Sequence, residues 1–325
     1  MVKKVILVSG LWSLVSGLLF FSGCHRHTEK NNYSVAGTFL EVTSPDKRAG
    51  KIVYAECKRL EKIFDFYDPG SELSRLNASF NQPVKVSPEM IGLLRLSRQV
   101  YESSGGALDP TQGTLFELWK RRIKDKSLGL PSPEEVKQAK SCGGFDQVII
   151  DQAASSVTLK KKGLKIDLGS ITHGYMVDKA VQKLKAAGIH SALINLGGAV
   201  YCLGTHDGQP WRVGIKDPEG LGAVLAGQEL RDEALSTSGS YEQYFERAGR
   251  RYAHIIDPHT GFPVDSPLVS VSVISANATT SDGLDTAFFV MGLDGIKRFI
   301  ASRPSTLRIF VLVEENGKKR IHVLK

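Results

Sequence analysis

The sequence predicts a single large α+β domain with a short targeting segment in front of it. Stretches with helical periodicity and stretches with strand-like alternation both occur, but they do not alternate regularly as in a doubly wound sheet. No repeat, low-complexity tract or shift of composition divides the 325 residues, and an apolar content of 42% is sufficient for a sizeable core. We therefore expect one mixed domain over residues 34–325, with two lobes as a variant of the same arrangement.

The N-terminal residues have the pattern of a secretory signal. Lys3 and Lys4 precede a mostly apolar run over residues 5–21, and small residues then lead to Cys24. This order resembles bacterial lipoprotein signals, in which the cysteine is acylated and becomes the new N-terminus. We predict a signal at 1–23, lipidation at Cys24 and a polar tether over residues 24–33. An uncleaved membrane anchor is the alternative, because the apolar run is nearly long enough to span a bilayer.

Charge and cysteine usage exclude several classes of protein. The formal net charge is +8, but the basic residues are scattered and their runs at 160–162 and 318–320 are short, which favours solvated loops over nucleic-acid binding. The cysteines after the signal are Cys57, Cys142 and Cys202. Their odd number and irregular spacing predict neither a disulfide framework nor a zinc site.

The first half of the domain combines one strand with several helices. Residues 34–43 alternate as a strand, and residues 45–66 have apolar residues at helical spacing. A turn signal at 68–70 follows, and Ser87-Pro88 opens a helix that runs to about Ser103. The stretch 104–111 is an irregular loop, Trp119 lies in a short helix, and residues 133–141 form another helix.

The second half is richer in strands. Residues 148–151 and 156–160 predict a hairpin, and a turn at 167–175 leads into a helix that ends near Gly188. Strands are expected at 192–195, in short pieces up to 215, over 223–238 and at 268–274. A helix beginning at about 281, another at 294–301 and two closing strands complete the chain.

One stretch has the spacing of a metal site. It is S-D-G-L-D-T-A-F-F-V at 281–290, after an apolar strand. On a helix Asp282 and Thr286 share one face, and a carboxylate beside a hydroxyl suits a hard cation such as Mg²⁺. Asp285 lies one turn from Asp282 and is placed to ligate or to orient. The alternative is a helix N-terminal charge at Asp282 and a small buried residue at Thr286.

Four other stretches have residues suited to phosphate or nucleotide chemistry. The turn at 167–175 has two glycines that open backbone N–H groups to an anion. The turn at 195–198 exposes backbone, and the hydroxyl-rich 236–241 suits either phosphate binding or a polar turn. In the segment 254–263, His254 either is a satisfied core histidine or polarises a substrate, and its spacing to His259 does not suit zinc.

Together and in this order, these stretches resemble the ApbE family of bacterial flavin transferases over nearly the whole exported part of the chain. The matching motifs are A-G-T at 36–38, Y-D-P-G-S-E-L-S-R-L-N at 67–77, G-G-A-L-D-P-T at 105–111, D-L-G-S-I-T-H-G-Y-M-V-D at 167–178, N-L-G-G at 195–198, S-T-S-G-S-Y at 236–241, H-I-I-D-P-H-T-G-F-P at 254–263 and S-D-G-L-D-T-A at 281–287.

The resemblance implies an ApbE-type α+β fold and a Mg²⁺-dependent reaction with FAD. Such proteins join FMN by a phosphoester bond to a threonine or serine of a target protein and release AMP. The targets in the family are flavin subunits of exported or membrane redox complexes, such as sodium-pumping NADH:quinone reductases and Rnf-type complexes. We therefore expect this protein at the periplasmic face of the inner membrane. Two alternatives are a Mg²⁺-dependent FAD pyrophosphatase and a flavin-binding lipoprotein without turnover.

The resemblance also assigns roles to residues. Asp282, Thr286 and the backbone carbonyl of Ser170 match the metal ligands, Asp285 is near enough to assist, and Asp285 or Asp282 is the candidate proton acceptor. The expected contacts to the flavin dinucleotide are Ala36, Tyr67, Asn77, Ala107, Leu108, Asp109, Asp167, His173 and Ile256. Departures from the family pattern are Ala36 in place of Met, Ser170 in place of Gly, and His173 in place of Lys or Glu.

Overall fold

A computed structural model of the chain describes residues 28–216, 224–241, 244–247, 250–303, 306–315 and 317–325. The predicted signal and Cys24 lie outside these residues. The strands are β1 (Glu29–Val35), β2 (Thr38–Ser44), β3 (Val84–Lys85), β4 (Val148–Asp151), β5 (Ser156–Leu159), β6 (Ala192–Leu196), β7 (Ala199–Leu203), β8 (Trp211–Lys216), β9 (Val224–Leu230), β10 (Glu233–Gly239), β11 (Tyr244–Arg247), β12 (Arg250–Ala253), β13 (Leu268–Ser275), β14 (Arg308–Glu315) and β15 (Lys318–Leu324). The helices are α1 (Ala49–Phe64), α2 (Glu72–Asn77), α3 (Pro88–Ser103), α4 (Gly113–Lys124), α5 (Pro133–Lys140), α6 (Thr172–Ala186) and α7 (Ala278–Ser302).

An eight-stranded antiparallel sheet organises the fold. Its strand order is β1-β2-β6-β7-β10-β13-β14-β15, so the strands follow one another across the sheet as they do along the chain. One face, called the helix face below, packs on α1, α6 and α7, because alternate strand residues such as Leu40, Ile194 and Val273 are apolar and buried. The opposite face is covered near its middle by Trp211 and Leu230 of the β8–β9 hairpin.

A smaller sheet, with the order β3-β5-β4, belongs to the same domain. Its buried residues Val148, Val157 and Leu159 are part of the core cluster that also contains β2, β6 and α6. The α+β class is therefore confirmed. None of the helices in the described ranges combines the length and the apolar character needed to cross a membrane.

The N-terminal boundary differs from the prediction. The single strand expected over 34–43 is a hairpin, and residues 29–33, assigned to the tether, form most of β1. Ala36 and Gly37 make the two-residue turn with φ values of 53° and 71°, as a type I′ turn requires. The left-handed conformation costs a non-glycine residue such as Ala36 about 1–2 kcal/mol. Glu61 accepts a hydrogen bond from the Ala36 N–H at 2.7 Å and helps to hold this turn.

α7 is a helical hairpin rather than one rod. Gly292 has φ 70° and ψ 171° in its interior, and the rings of Phe288 and Phe299 lie 4.9 Å apart. In a straight helix these two residues would be about 16 Å apart along the axis. The sheet requires this reversal. Because β13 and β14 are antiparallel neighbours, the last residue of β13 and the first residue of β14 lie at the same end of the strands, and α7 must return to where it began. The two helices predicted for this region are confirmed.

We expect Gly292→Ala to lower the free energy of unfolding by about 1–3 kcal/mol, because its backbone conformation is accessible essentially only to glycine. Urea unfolding measures the change. The matched control is Gly227→Ala on β9, where φ is not positive and an added methyl group meets no atom within 4 Å. Equal stability of the two variants would contradict the assignment of Gly292 as the reversal point.

Candidate functional site

The predicted metal residues lie where the first half of α7 crosses β10 on the helix face. The Ser238 hydroxyl lies 3.0 Å from Oδ1 of Asp285 and 2.9 Å from Oγ1 of Thr286. The Ser236 hydroxyl lies 3.4 Å from Oδ1 of Asp282. Thr286 also donates to Asp285 at 3.2 Å. The structure therefore brings the three acidic and hydroxyl residues of α7 together with two serines of the sheet.

Ser236 and Ser238 belong to the hydroxyl-rich stretch 236–241, but neither was predicted to contact the carboxylates, and both lie on strand β10 rather than in a polar turn. They are two apart on β10, so both point to the helix face, where neighbouring strands place apolar side chains. The period-two pattern S-x-S within a buried strand is the signal that identifies them, since serines on a core-facing row need polar partners.

The start of α6 approaches the same carboxylates. The Gly174 N–H donates to Oδ2 of Asp282 at 2.8 Å. A Cβ at Gly174 would lie 2.2 Å from the Ala278 carbonyl oxygen and 2.7 Å from the Asp282 Cβ, so only glycine permits this contact. The Thr172 N–H donates to Leu168, so two N–H groups of the first turn are already used within the protein. Ser170, whose carbonyl was predicted as a ligand, lies half-buried directly before this turn.

His173 links the carboxylates to the N-terminal hairpin. Its Nε2 lies 3.5 Å from the Ala36 carbonyl oxygen, and its ring is close to Gly197. A positive charge on His173 opposes the rise in the pKa of Asp282. The structure thus joins two predicted dinucleotide contacts, Ala36 and His173, to the predicted metal site.

Burial raises the pKa of both carboxyl groups. For Asp282, burial is the main cause, opposed by His173 and by the hydrogen bonds from Gly174 and Ser236. For Asp285, burial and then the charge of Asp282 raise the pKa well above its usual value, against hydrogen bonds from the serines and Thr286. Within the described part of the chain, no lysine or arginine forms an ion pair with either group. Apart from the charge of His173 that acts on Asp282, the described residues place no cation at this pair of carboxyl groups.

In metal-free protein, Asp285→Asn is expected to be more stable than wild type near pH 7.5, with an advantage that shrinks toward pH 5. The folded-state pKa of Asp285 lies above its unfolded value, so the native state binds more protons between the two values and gains stability as pH falls. Urea unfolding of both proteins with a chelator at the two pH values measures the difference. A constant difference would show that Asp285 titrates normally.

The donors are those that a hard cation prefers. They are carboxylate and hydroxyl oxygens, with the Ser170 carbonyl one turn from Gly174. Among the described residues there is no group of three or more His, Cys, Asp or Glu side chains that could hold a metal ion. A set of oxygen donors that includes two carboxyl groups fits a hard cation such as Mg²⁺.

Asp167 and Asn77 occupy a second part of the region. Asp167 accepts a hydrogen bond from the Gly169 N–H at 2.9 Å and pairs with the Lys120 ammonium at 3.0 Å. That ammonium lies 5.6 Å from the ring centre of Tyr67, which is 64% exposed. Asn77 uses both ends of its amide on the backbone of Ile166, at 2.7 and 2.8 Å. Asn77 thus fixes the backbone before Asp167, and Lys120 is a neighbour that the sequence did not indicate.

The loop Ala107–Asp109 lies against the metal-site helix. Ala107 and Leu108 are buried and pack on Ala287, the residue after Thr286. Asp109 accepts hydrogen bonds from the Thr111 N–H and hydroxyl at 2.9 and 2.6 Å, which shapes its own loop.

Ile256 belongs to a separate buried cluster with Leu115 and Trp119. Its segment is tied to the same loop through His259, whose Nε2 is 2.9 Å from the Gly105 carbonyl oxygen. The roles of these residues toward a dinucleotide stay predictions.

A cavity of about 420 Å³ lies beside this region, between the end of α3 and the second half of α7. Its lining includes Gly105, Met291, Arg298 and Arg303, but none of the predicted site residues. The carboxylate site is therefore distinct from this cavity, although Met291 packs on the Ala107–Asp109 loop.

Comparisons with known proteins agree with this picture. The model of the ApbE family matches residues 36–311. An FAD:protein FMN transferase of Treponema pallidum (strain Nichols) is 33% identical, with 93% of this chain and 90% of the relative covered. That of Haemophilus influenzae is 29% identical, with 96% and 94% covered.

Solved structures are similar as well. The ApbE protein from Thermotoga maritima matches with a TM-score of 0.83 and 32% identity, with 91% of this chain and 97% of that chain covered. The flavin transferase ApbE from Vibrio cholerae matches with a TM-score of 0.82 and 25% identity at the same coverage.

Proposed function

The chain belongs to the ApbE family, and on this premise we propose that it is an FAD:protein FMN transferase. It moves FMN from FAD to a threonine or serine hydroxyl of an acceptor protein and releases AMP. The names of its relatives support flavin transfer. The structural observation that carries the proposal is the pair formed by the buried Asp285 and the half-buried Asp282, which hydroxyl groups surround and which no lysine or arginine among the described residues pairs with.

Asp282, Thr286 and the Ser170 carbonyl are the proposed ligands of Mg²⁺, with Asp285 beside them. When bound, Mg²⁺ neutralises charge that develops on the phosphate oxygens. Ser236 and the Gly174 N–H hold the Asp282 carboxylate in one orientation. A ligand oriented by its own hydrogen bonds keeps its geometry when the substrate arrives, as the neighbours of metal ligands generally do.

In the proposed reaction the acceptor hydroxyl oxygen attacks the phosphorus on the FMN side of the pyrophosphate. A new O–P bond forms, the P–O bond to the AMP phosphate breaks, and AMP leaves with the bridging oxygen. Asp285 receives the hydroxyl proton, because its carboxylate lies beside the proposed metal ligand Thr286 and a carboxylate within reach of the reacting hydroxyl can act as a general base. Ser238 and Thr286 keep its carboxylate in place.

The dinucleotide is proposed to lie between the α6 N-terminal turn and the Ala107–Asp109 loop. In this proposal Ala36 and His173 contact one side of the dinucleotide, and Asp167 with its partner Lys120 contacts another. Lys120 adds positive charge next to the exposed ring of Tyr67, a pairing that suits a phosphate and a flat base. This arrangement supplies positioning and electrostatics, which are the main requirements of phosphoryl transfer.

The test is mass spectrometry of an acceptor flavoprotein domain incubated with the full chain, FAD and Mg²⁺. We expect one FMN adduct on a single threonine or serine, with one AMP released per adduct. An acceptor in which that residue is replaced by Val or Ala is the control. Release of AMP and free FMN without an adduct would contradict the transferase and indicate an FAD pyrophosphatase. FAD that is bound but unconverted would indicate a binding protein.

We also propose that the protein is exported and held by a lipid on Cys24 at the periplasmic face of the inner membrane. Its acceptors would be flavin subunits of membrane redox complexes of the Nqr and Rnf type. β1 begins at Glu29, so the residues 25–28 between lipid and domain reach at most about 14 Å. Such a tether keeps the site close to membrane-bound acceptors. Metabolic labelling with palmitate, compared with Cys24→Ser, tests the lipid.

A further inference from the structure

α6 and α7 are joined by two reciprocal contacts, called the clasp below. In one, the Gly174 N–H of α6 donates to the Asp282 carboxylate of α7 at 2.8 Å. In the other, Asp178 of α6 accepts from the Ala278 and Thr279 N–H groups of α7, both at 2.8 Å, and from the Thr279 hydroxyl at 2.5 Å. Each helix therefore supplies a carboxylate to backbone N–H groups near the start of the other.

The spacing within the clasp is the same on both helices. Gly174 and Asp178 are four residues apart on α6, and Ala278 and Asp282 are four residues apart on α7. Residues four apart lie on one helix face, about 6 Å along the axis. The two contacts therefore act at two levels of the same interface, and together they fix both the axial position and the rotation of α7 against α6.

Asp178 also completes the N-terminus of α7. The cap residue Asn277 accepts from the Thr280 N–H at 3.0 Å, and its carbonyl accepts from Ser281. The remaining first-turn N–H groups, those of Ala278 and Thr279, are the ones that Asp178 accepts. A negative charge there also lies at the positive end of the helix dipole.

The clasp allows little sliding of α7. The helices are in contact at Gly174, where an added Cβ would lie 2.2 Å from the Ala278 carbonyl oxygen. A shift of α7 by one residue moves Asp282 by about 1.5 Å, which would break both contacts. Metal ligands need positions within a few tenths of an ångström. The position of Asp282 therefore depends on the contact through Asp178 as well as on its own hydrogen bond from Gly174.

We propose that Asp178, which is neither a predicted metal ligand nor a substrate contact, is a positioning residue for the Mg²⁺ site. It holds the start of α7 so that Asp282 and Thr286 stand at metal-binding positions. The inference rests on the proposed function, because it assumes a metal at these two residues. Its loss is expected to weaken metal binding more than its contribution to stability alone would explain.

The experiment compares Asp178→Asn with wild type in the full chain. The affinity for Mg²⁺ is obtained from the dependence of the unfolding temperature on Mg²⁺ concentration, with FAD present and acceptor absent. We expect the Kd for Mg²⁺ to rise about 10-fold or more, as for other residues that orient metal ligands. Transfer should recover toward the wild-type kcat at high Mg²⁺, because the ligands themselves remain.

The matched control is Ser132→Ala, which removes the capping box of α5, a helix that carries none of the predicted metal ligands. It should lower the unfolding temperature without changing the Kd for Mg²⁺. Thr279→Val removes only the hydroxyl contact to Asp178, so it serves if Asp178→Asn does not fold, and it should raise the Kd to a smaller extent.

An unchanged Kd in Asp178→Asn and in Thr279→Val, with wild type responding to Mg²⁺, would overturn the positioning role and leave the proposed function intact. A wild-type protein whose unfolding temperature does not respond to Mg²⁺ would instead overturn the metal site and the inference with it.

Discussion

Asp282→Asn is expected to lower FMN transfer by about three orders of magnitude. The substitution removes one of two carboxylates from the proposed metal site, and a metal ion that neutralises phosphate charge lowers the barrier by several kcal/mol. Metal-free Asp282→Asn should nevertheless fold at least as well as wild type, because burial opposes the charge of Asp282 and that charge raises the pKa of Asp285. Mass spectrometry of the acceptor and urea unfolding measure the two effects.

Asp294→Asn is the matched control, since it makes the same change on the second half of the same helix. Asp294 has an 82% exposed side chain and lies far along α7 from the site, so both activity and stability should stay at the wild-type level. Full transfer activity in Asp282→Asn at ordinary Mg²⁺ concentration would show that the Asp282 carboxylate is not a required metal ligand.

Gly174→Ala is expected to destabilise the protein by about 1–3 kcal/mol and to abolish most of the transfer activity. The new methyl group would meet the Ala278 carbonyl oxygen at 2.2 Å, so the helices must separate, and overpacking of this kind costs such amounts. Separation also breaks the hydrogen bond from the Gly174 N–H to Asp282. Thermal unfolding and the acceptor assay, run on the same preparation, measure both losses.

Gly92→Ala on α3 provides the comparison for this prediction. Its new methyl group meets only the Tyr175 hydroxyl, at 3.3 Å, and alanine favours a helix interior over glycine by about 1 kcal/mol. We expect it to be neutral or stabilising and fully active. If Gly174→Ala behaved like Gly92→Ala, the close approach of α6 and α7 would not be needed for the site.

The part of the site on α7 could be predicted from sequence because it depends only on helical spacing. Asp282, Asp285 and Thr286 lie within five consecutive residues, and the structure does bring them together. Helix boundaries with clear caps could also be predicted from the sequence. An example is α3, where Ser87 accepts a hydrogen bond from the Met90 N–H and Pro88 is the first helical residue.

Residues that reach the site from other elements could not be predicted, because their partners lie far away in the chain. Ser238 is 47 residues from Asp285, and Lys120 is 47 residues from Asp167. No local period indicates which strand faces which helix. The α6–α7 contact through Asp178 spans 100 residues for the same reason.

The N-terminal hairpin was missed for a different, local reason. A run with alternating polarity on both sides of Ala36 and Gly37 looks like one strand unless the turn is recognised, and the usual signal for a two-residue turn is Asn-Gly or Asp-Gly. Alanine in a left-handed conformation carries no such signal. The strained position also contacts His173, which agrees with the tendency of strained backbone to occur at functional sites.

The order of strands in the large sheet has a practical consequence for building fusion proteins. β1 and β15 form its two outer edges, separated by seven strand-to-strand steps, or roughly 34 Å at about 4.8 Å per step. A reporter or acceptor domain joined after β15 would start at the edge opposite to β1. Such a fusion leaves the spacing between Cys24 and β1 unchanged, whereas a domain inserted before β1 would lengthen the connection to the proposed lipid on Cys24.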